Sequence, residues 1–170
     1  MTRTIQLGSA LVAVVVAACA SGGSSASGTA AGPARWEGSF RTSGYATTAV
    51  IGPGQTGTSA AFGTIKLSPI AAGPGGNTQV EVSVSAPVSP GTQLGWAIFT
   101  GPCGTMSAAI AGLMQFPTIS IANSGNGFVR ATMALPLDAQ GSYHANVYWS
   151  SQPSDVSNVM MCANLELAKR

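Results

Sequence analysis

Between Thr78 and Pro87 the chain alternates strictly, with Val80, Val82 and Val84 separated by Glu81, Ser83 and Ser85. A period of two puts all three valines on one face of an extended strand, which no helix can do. The pattern recurs over Phe128–Pro136, where Val129, Ala131, Met133 and Leu135 oppose Arg130 and Thr132. Trp36–Thr42, Ala61–Ser68, Thr92–Thr100, Thr118–Ala122, Ser142–Trp149 and Val159–Leu167 have the same strand character. Between them stand turn signals: Pro90-Gly91, the exposed run Gly73-Pro74-Gly75-Gly76-Asn77, and Asn126-Gly127, a hairpin signal. About eight strands at this spacing predict an all-β fold, an antiparallel Greek-key β-sandwich or barrel.

Charge decides which functions such a domain is unfit for. Lys and Arg number 7 and Asp and Glu 5 in 170 residues, with no run of either sign. That cannot form the basic stripe required for nucleic-acid binding. A hydrophobic fraction of 45% likewise excludes disorder throughout, which goes with few apolar residues and many charges.

The first residues form an address rather than a fold. Arg3 precedes a mostly apolar run from Ile5 to Ala18, too short to span a bilayer and suited to a secretory signal peptide. The run ends Val16-Ala17-Ala18-Cys19, similar to the bacterial lipobox, in which the cysteine becomes the lipidated N-terminus. Residues 1–18 are therefore expected to be a lipoprotein signal peptide and Cys19 the lipidation site, anchoring the protein to a membrane of the bacterial envelope. Ala20, not being Asp, favours the outer membrane where sorting follows the diderm rule. Residues 19–34, rich in Ala, Ser and Gly, read as a flexible tether, and 35–170 as the folded domain. Loss of Arg3 with the leader leaves the mature chain almost neutral, without electrostatic pull on acidic partners.

If Cys19 carries lipid, Cys103 and Cys162 remain, in an oxidising compartment. Either they are bonded to each other, closing a loop of about 60 residues worth roughly 4 kcal/mol, or they are two buried thiols.

Three segments, Gly95-Trp96-Ala97-Ile98-Phe99-Thr100-Gly101-Pro102-Cys103-Gly104, Gly141–Ser150 and Val159–Leu165, together resemble the copper/zinc superoxide dismutase-like family and its CHRD-related bacterial relatives, over residues 79 to 167. Trp96, Cys103, Gly104, Val147 and Cys162 carry the likeness. It implies a superoxide dismutase-like sandwich in which Cys162, on the last strand, pairs with Cys103. The departures concern chemistry. Where the family has its His-x-His pair this chain has Ala97 and Phe99, and where it has a later histidine on the penultimate strand this chain has Tyr148. Residues two apart on a strand share a face, so His-x-His offers two imidazoles to one metal; Ala and Phe offer none. One His and two Asp in the whole chain do not furnish a zinc subsite either.

Other chemistry is thinly supported. His144 with Asp138 or Asp155 and a serine would make a triad, but there is no Gly-x-Ser-x-Gly elbow. His144, Asn146 and Tyr148 share a strand face predicted to point away from the core. Met160-Met161-Cys162 and Met106 offer sulfur to Cu(I), yet Met160 and Met161 should point to opposite faces and read better as core. The glycine runs Gly52-Pro53-Gly54-Gln55 and Gly73–Gly76 lack the Lys-Ser/Thr of a phosphate loop and are turns.

The expected function is that of a non-catalytic, envelope-anchored structural or binding module, with no cofactor, no catalytic residue and no metal ligand. The alternatives are a weak copper-binding protein and a residual metalloenzyme of the dismutase type. Phe99 and Tyr148 are expected to meet where the family holds copper. Either the loop from Cys103 to Phe116 covers them with Ile110, Leu113 and Met114, or they form with His144 and Asn146 an open binding patch.

Overall fold

Strict alternation produces strands with one buried face, and the sheet they build positions everything else. The computed structural model describes residues 34–42, 60–70, 76–153 and 158–169. The leader, Cys19, the tether, Gly52–Gln55, residues 71–75 of the glycine turn and Asp155 lie outside the described residues.

Nine strands follow in chain order: β1 (Trp36–Thr42), β2 (Phe62–Pro69), β3 (Asn77–Ser85), β4 (Gln93–Leu94), β5 (Trp96–Thr100), β6 (Ile119–Ser120), β7 (Asn126–Ala134), β8 (Tyr143–Tyr148) and β9 (Val159–Leu167). A 3-10 segment spans Leu113–Gln115, and among the described residues no helix is long and apolar enough to cross a membrane. Seven strands make one antiparallel curled sheet in the order β5-β8-β9-β1-β2-β3-β7, while β4 and β6 form a two-stranded sheet. The meander β1-β2-β3 is joined on its β1 side by the late strand β9, which is the Greek-key return. The fold class is thus all-β and antiparallel, as the alternation predicts.

The inner face carries the core. Phe40, Ile65, Leu67, Val80, Val82, Val84, Trp96, Ile98, Ala145, Val147, Met161 and Ala163 are all almost wholly buried. Trp36 meets Tyr143 edge-on at 5.3 Å between ring centroids, and Trp96 meets Phe116 at 4.9 Å. The Trp96 indole N–H donates to the Pro117 carbonyl at 2.6 Å, which satisfies its buried polar end.

Two readings of the chain need correction. The segment Thr92–Thr100 is not one strand: it breaks at Gly95, and that break raises the count to nine. Gly95 donates to Ser150 O and accepts from Tyr148 N, and a Cβ there would lie 2.9 Å from Ser151 O. The chain passes from the small sheet to the large one at a point too tight for a side chain. The Asn126-Gly127 pair is also not a turn. It begins β7, and the hairpin turns one step earlier, where Gly125 at φ 77° closes a bond to Ala122 O. Gly127 is required for a different reason: a Cβ would sit 2.5 Å from Ile119 Cγ2 and 2.7 Å from Ile121 Cδ1, which pack across it. Pro90-Gly91 does turn the chain, with Gly91 at φ 81° and Thr92 N–H bonded to Ser89 O, the arrangement of a type II turn.

Candidate functional site

Strand β8 is the one strand buried along its whole length, all six residues from Tyr143 to Tyr148. Its inner face belongs to the core, so something must cover the outer face. The cover is the chain leaving β5. Gly101 at φ 80° and Gly104 at φ 87° turn it in backbone conformations that side chains disfavour. Gly101 N–H bonds to Ser142 O, and the loop then crosses β8 to reach β9. There Cys103 is disulfide-bonded to Cys162, and the Cys103 N–H donates to Asn164 Oδ1 at 2.7 Å. Beyond Met106 the chain runs back along the free edge of β5. Ala108 O accepts from Thr100 N–H, Ile110 N–H donates to Ile98 O, and Ala109 faces Phe99.

Under this strap lie the positions singled out in the sequence. His144 is buried, and its Nδ1 donates to Gly101 O at 2.9 Å. The expectation that its face points away from the core is right for the main core but wrong for solvent, because the loop closes over it. Removal from water holds the imidazole below its ordinary value of 6.5, with the Gly101 bond pulling weakly the other way. His144 is therefore neutral at pH 7. Its Nδ1 is bonded to a backbone carbonyl and not to Asp138, so among the described residues His144 has no carboxylate orienting it as a triad would require. Phe99 lies directly across from His144 in the register and stacks on it, with 5.4 Å between centroids and 20° between planes.

Phe99 and Tyr148 do not come together. Their expected meeting is undone by register: Phe99 pairs with His144 and Ala97 with Asn146, so Tyr148 lies two pairs further along β8, beside Gly95. Tyr148 is 2% exposed and Asn146 6%. With His144 also buried, these residues do not form an open aromatic patch. The covering loop departs from expectation as well. Ile110 packs against the core, but Leu113 is 38% and Met114 81% exposed, so the second small core is built by the stack itself rather than by those two side chains.

The sulfur ligands proposed for Cu(I) are scattered. Cys103 and Cys162 are bonded to each other. Met160 and Met161 are both buried, because β9 carries a bulge at Met160, between the pairs Val147–Met161 and Tyr148–Val159. Met106 is 86% exposed. Among the described residues no three of His, Cys, Asp and Glu gather closely enough to hold a metal.

Outside the strap a cavity of about 1070 Å³ opens on the outer face of β8, β9, β1 and β2. Its wall is the loop Cys103–Thr105, and its floor includes Arg41, Thr64, Asn146 and Asn164. The sequence singles out Asn146 but holds no signal for Arg41, because only the register of three strands, β8, β9 and β1, brings the two together. No family model, curated protein or solved structure matches this chain.

Proposed function

We propose that this protein is a lipid-anchored component of a bacterial envelope, tethered through Cys19, whose domain is a degenerate superoxide dismutase-like sandwich serving as a non-catalytic structural or binding module. The observation that carries the reading is the filled space over β5 and β8. At the positions where the resembled family has histidines stand Ala97, Phe99 and Tyr148, and the Phe99 ring is stacked on a neutral, carbonyl-bonded His144. A ring stack offers a metal ion no donor, and the only imidazole nearby has one nitrogen committed to Gly101. The resemblance itself is supported by the disulfide between Cys103 and Cys162, with Cys162 on the last strand.

The test is metal analysis together with a dismutase assay on protein purified from an envelope fraction after copper and zinc supplementation. Substoichiometric metal and no dismutation are expected. One equivalent of copper with measurable dismutation would overturn the reading in favour of a metalloenzyme. Mass spectrometry of the mature N-terminus tests the anchor separately: a diacylglyceryl-modified Cys19 is expected, and an unmodified chain beginning elsewhere would remove the envelope-anchored part of the proposal.

A further inference from the structure

The register of the large sheet lays one continuous row of outward side chains across all seven strands: Ala97, Asn146, Cys162, Arg41, Phe62, Ser85 and Asn126, each paired with the next. Three members of this row have no obvious structural employment. Asn146 is 6% exposed, and its carboxamide has no hydrogen-bond partner among the described residues. Because no side-chain nitrogen or oxygen among the described residues is sealed off unpaired, that carboxamide keeps contact with the 1070 Å³ cavity it lines. Burying a carboxamide without a partner is costly unless something else bonds to it. Arg41 also lines this cavity and makes no ion pair or side-chain hydrogen bond within the described residues. Phe62 is 61% exposed on the outer face of β2, where alternation calls for a polar residue.

Arg41 joins two concavities. A second one, of about 430 Å³, is lined by Phe62, Ser83, Ser85 and Asn126 and shares Ser39, Arg41 and Thr64 with the first. The result is one cleft, with Asn146 at its inner end, a guanidinium at its middle and an exposed aromatic ring beyond. At about 4.8 Å per strand, Asn146 to Phe62 spans roughly 14 Å.

We infer that this cleft binds a saccharide of two or three units that carries a carboxylate. The carboxylate takes the Arg41 guanidinium, whose fork matches it in a bidentate pair. The Phe62 ring stacks against the apolar C–H face of a sugar ring. The Asn146 carboxamide, with the side chains of Asn164, Thr64 and Ser39, exchanges hydrogen bonds with hydroxyl or acetamido groups. A peptide is a poorer fit, since the strands under the cleft are paired on both sides and leave no free edge for its main chain. A polyphosphate backbone is also a poorer fit: Lys66 and Lys169 line the first concavity beside Arg41, but Glu37 and Glu166 stand among them and would repel a run of phosphates. The inference supplies a ligand class for the binding module proposed above and rests on that reading, but its failure would leave the metal test untouched.

Calorimetric titration of the full chain checks it, using three carboxylated disaccharides as probes: digalacturonate, a glucuronate–N-acetylglucosamine and an N-acetylglucosamine–N-acetylmuramate. Saturable binding of at least one is expected, weakened at least tenfold when its carboxylate is methyl-esterified. Arg41→Gln should weaken the acid at least tenfold and leave the ester unchanged, whereas Phe62→Ala should weaken both. Both side chains are exposed, so the variants are expected to fold, which circular dichroism verifies. Absence of saturable binding by all three probes, or affinity unaltered in both variants, overturns the inference.

Discussion

The Phe99 ring lies flat against the imidazole of His144, and that imidazole is bonded to the carbonyl of Gly101 in the loop that covers both. A titratable group thereby becomes part of the packing. Protonating it would place a charge beneath an aromatic ring and a disulfide-fastened loop.

The first consequence is a pH dependence of stability. The folded-state pKa of His144 is held below its ordinary 6.5, so below that value the unfolded chain binds the proton more readily than the folded one. The stabilisation is complete above pH 6.5 and is lost as pH falls through the folded value. Urea unfolding between pH 7.5 and 5 should show a falling midpoint, and His144→Phe, which retains a ring, should flatten that slope. An unchanged slope in the variant would mean that other groups produce it.

Truncating the other ring tests the packing. Phe99 is half-buried, so Phe99→Ala should cost less than a full core truncation, about 2 to 3 kcal/mol against the 3 to 5 of a wholly buried Phe. Phe99→Leu, which keeps volume but not the stack, should cost less again. Denaturant midpoints for the two variants give the comparison.

The disulfide should act mainly on the unfolded chain. Cys103 and Cys162 are 59 residues apart, and on the chain-entropy model their bond contributes about 4 kcal/mol. Replacing both by Ala should lower unfolding free energy by several kcal/mol and speed hydrogen exchange at His144, which lies beneath the strap. Exchange at β2 and β3, remote from it, should rise only with the global loss.

Two glycines separate a steric requirement from a mere turn preference. A Cβ at Gly38 would lie 2.7 Å from the Asn164 carbonyl, a backbone atom that cannot step aside, whereas one at Gly76 meets nothing within 4 Å. Gly38→Ala should destabilise the domain by about 1 to 3 kcal/mol. Gly76→Ala should be neutral or slightly stabilising, through reduced freedom of the unfolded chain. Thermal denaturation of both measures the difference.

Charge placement shows how much register adds to what a list of residues can tell. Glu166, Glu37, Lys66, Glu81 and Arg130 stand in one cross-strand row, with Arg130 and Glu81 bonded at 2.7 Å. Alternation identifies each of these as outward-facing. It does not say that they are neighbours, since they come from five strands scattered between residues 37 and 166.

The same division runs through the protein. The sequence by itself determined the all-β class, the inward valines of β3, the outward Arg130 and the Pro90-Gly91 turn, because each depends on residues within a few positions of one another and a period of two is a local property of extended backbone. It also narrowed Cys103 and Cys162 to two possibilities, between which the fold chose the bond. Tertiary structure alone decided that Gly127 is a packing glycine rather than a turn, that Phe99 meets His144 instead of Tyr148, and that Asn146, Arg41 and Phe62 share one cross-strand row. Those outcomes turn on which strands become neighbours and in what register, and a single step of register moves every side chain to the opposite face. No local pattern encodes that choice. It is made by the long-range closure of the core and by a loop that two glycines and a disulfide carry across β8.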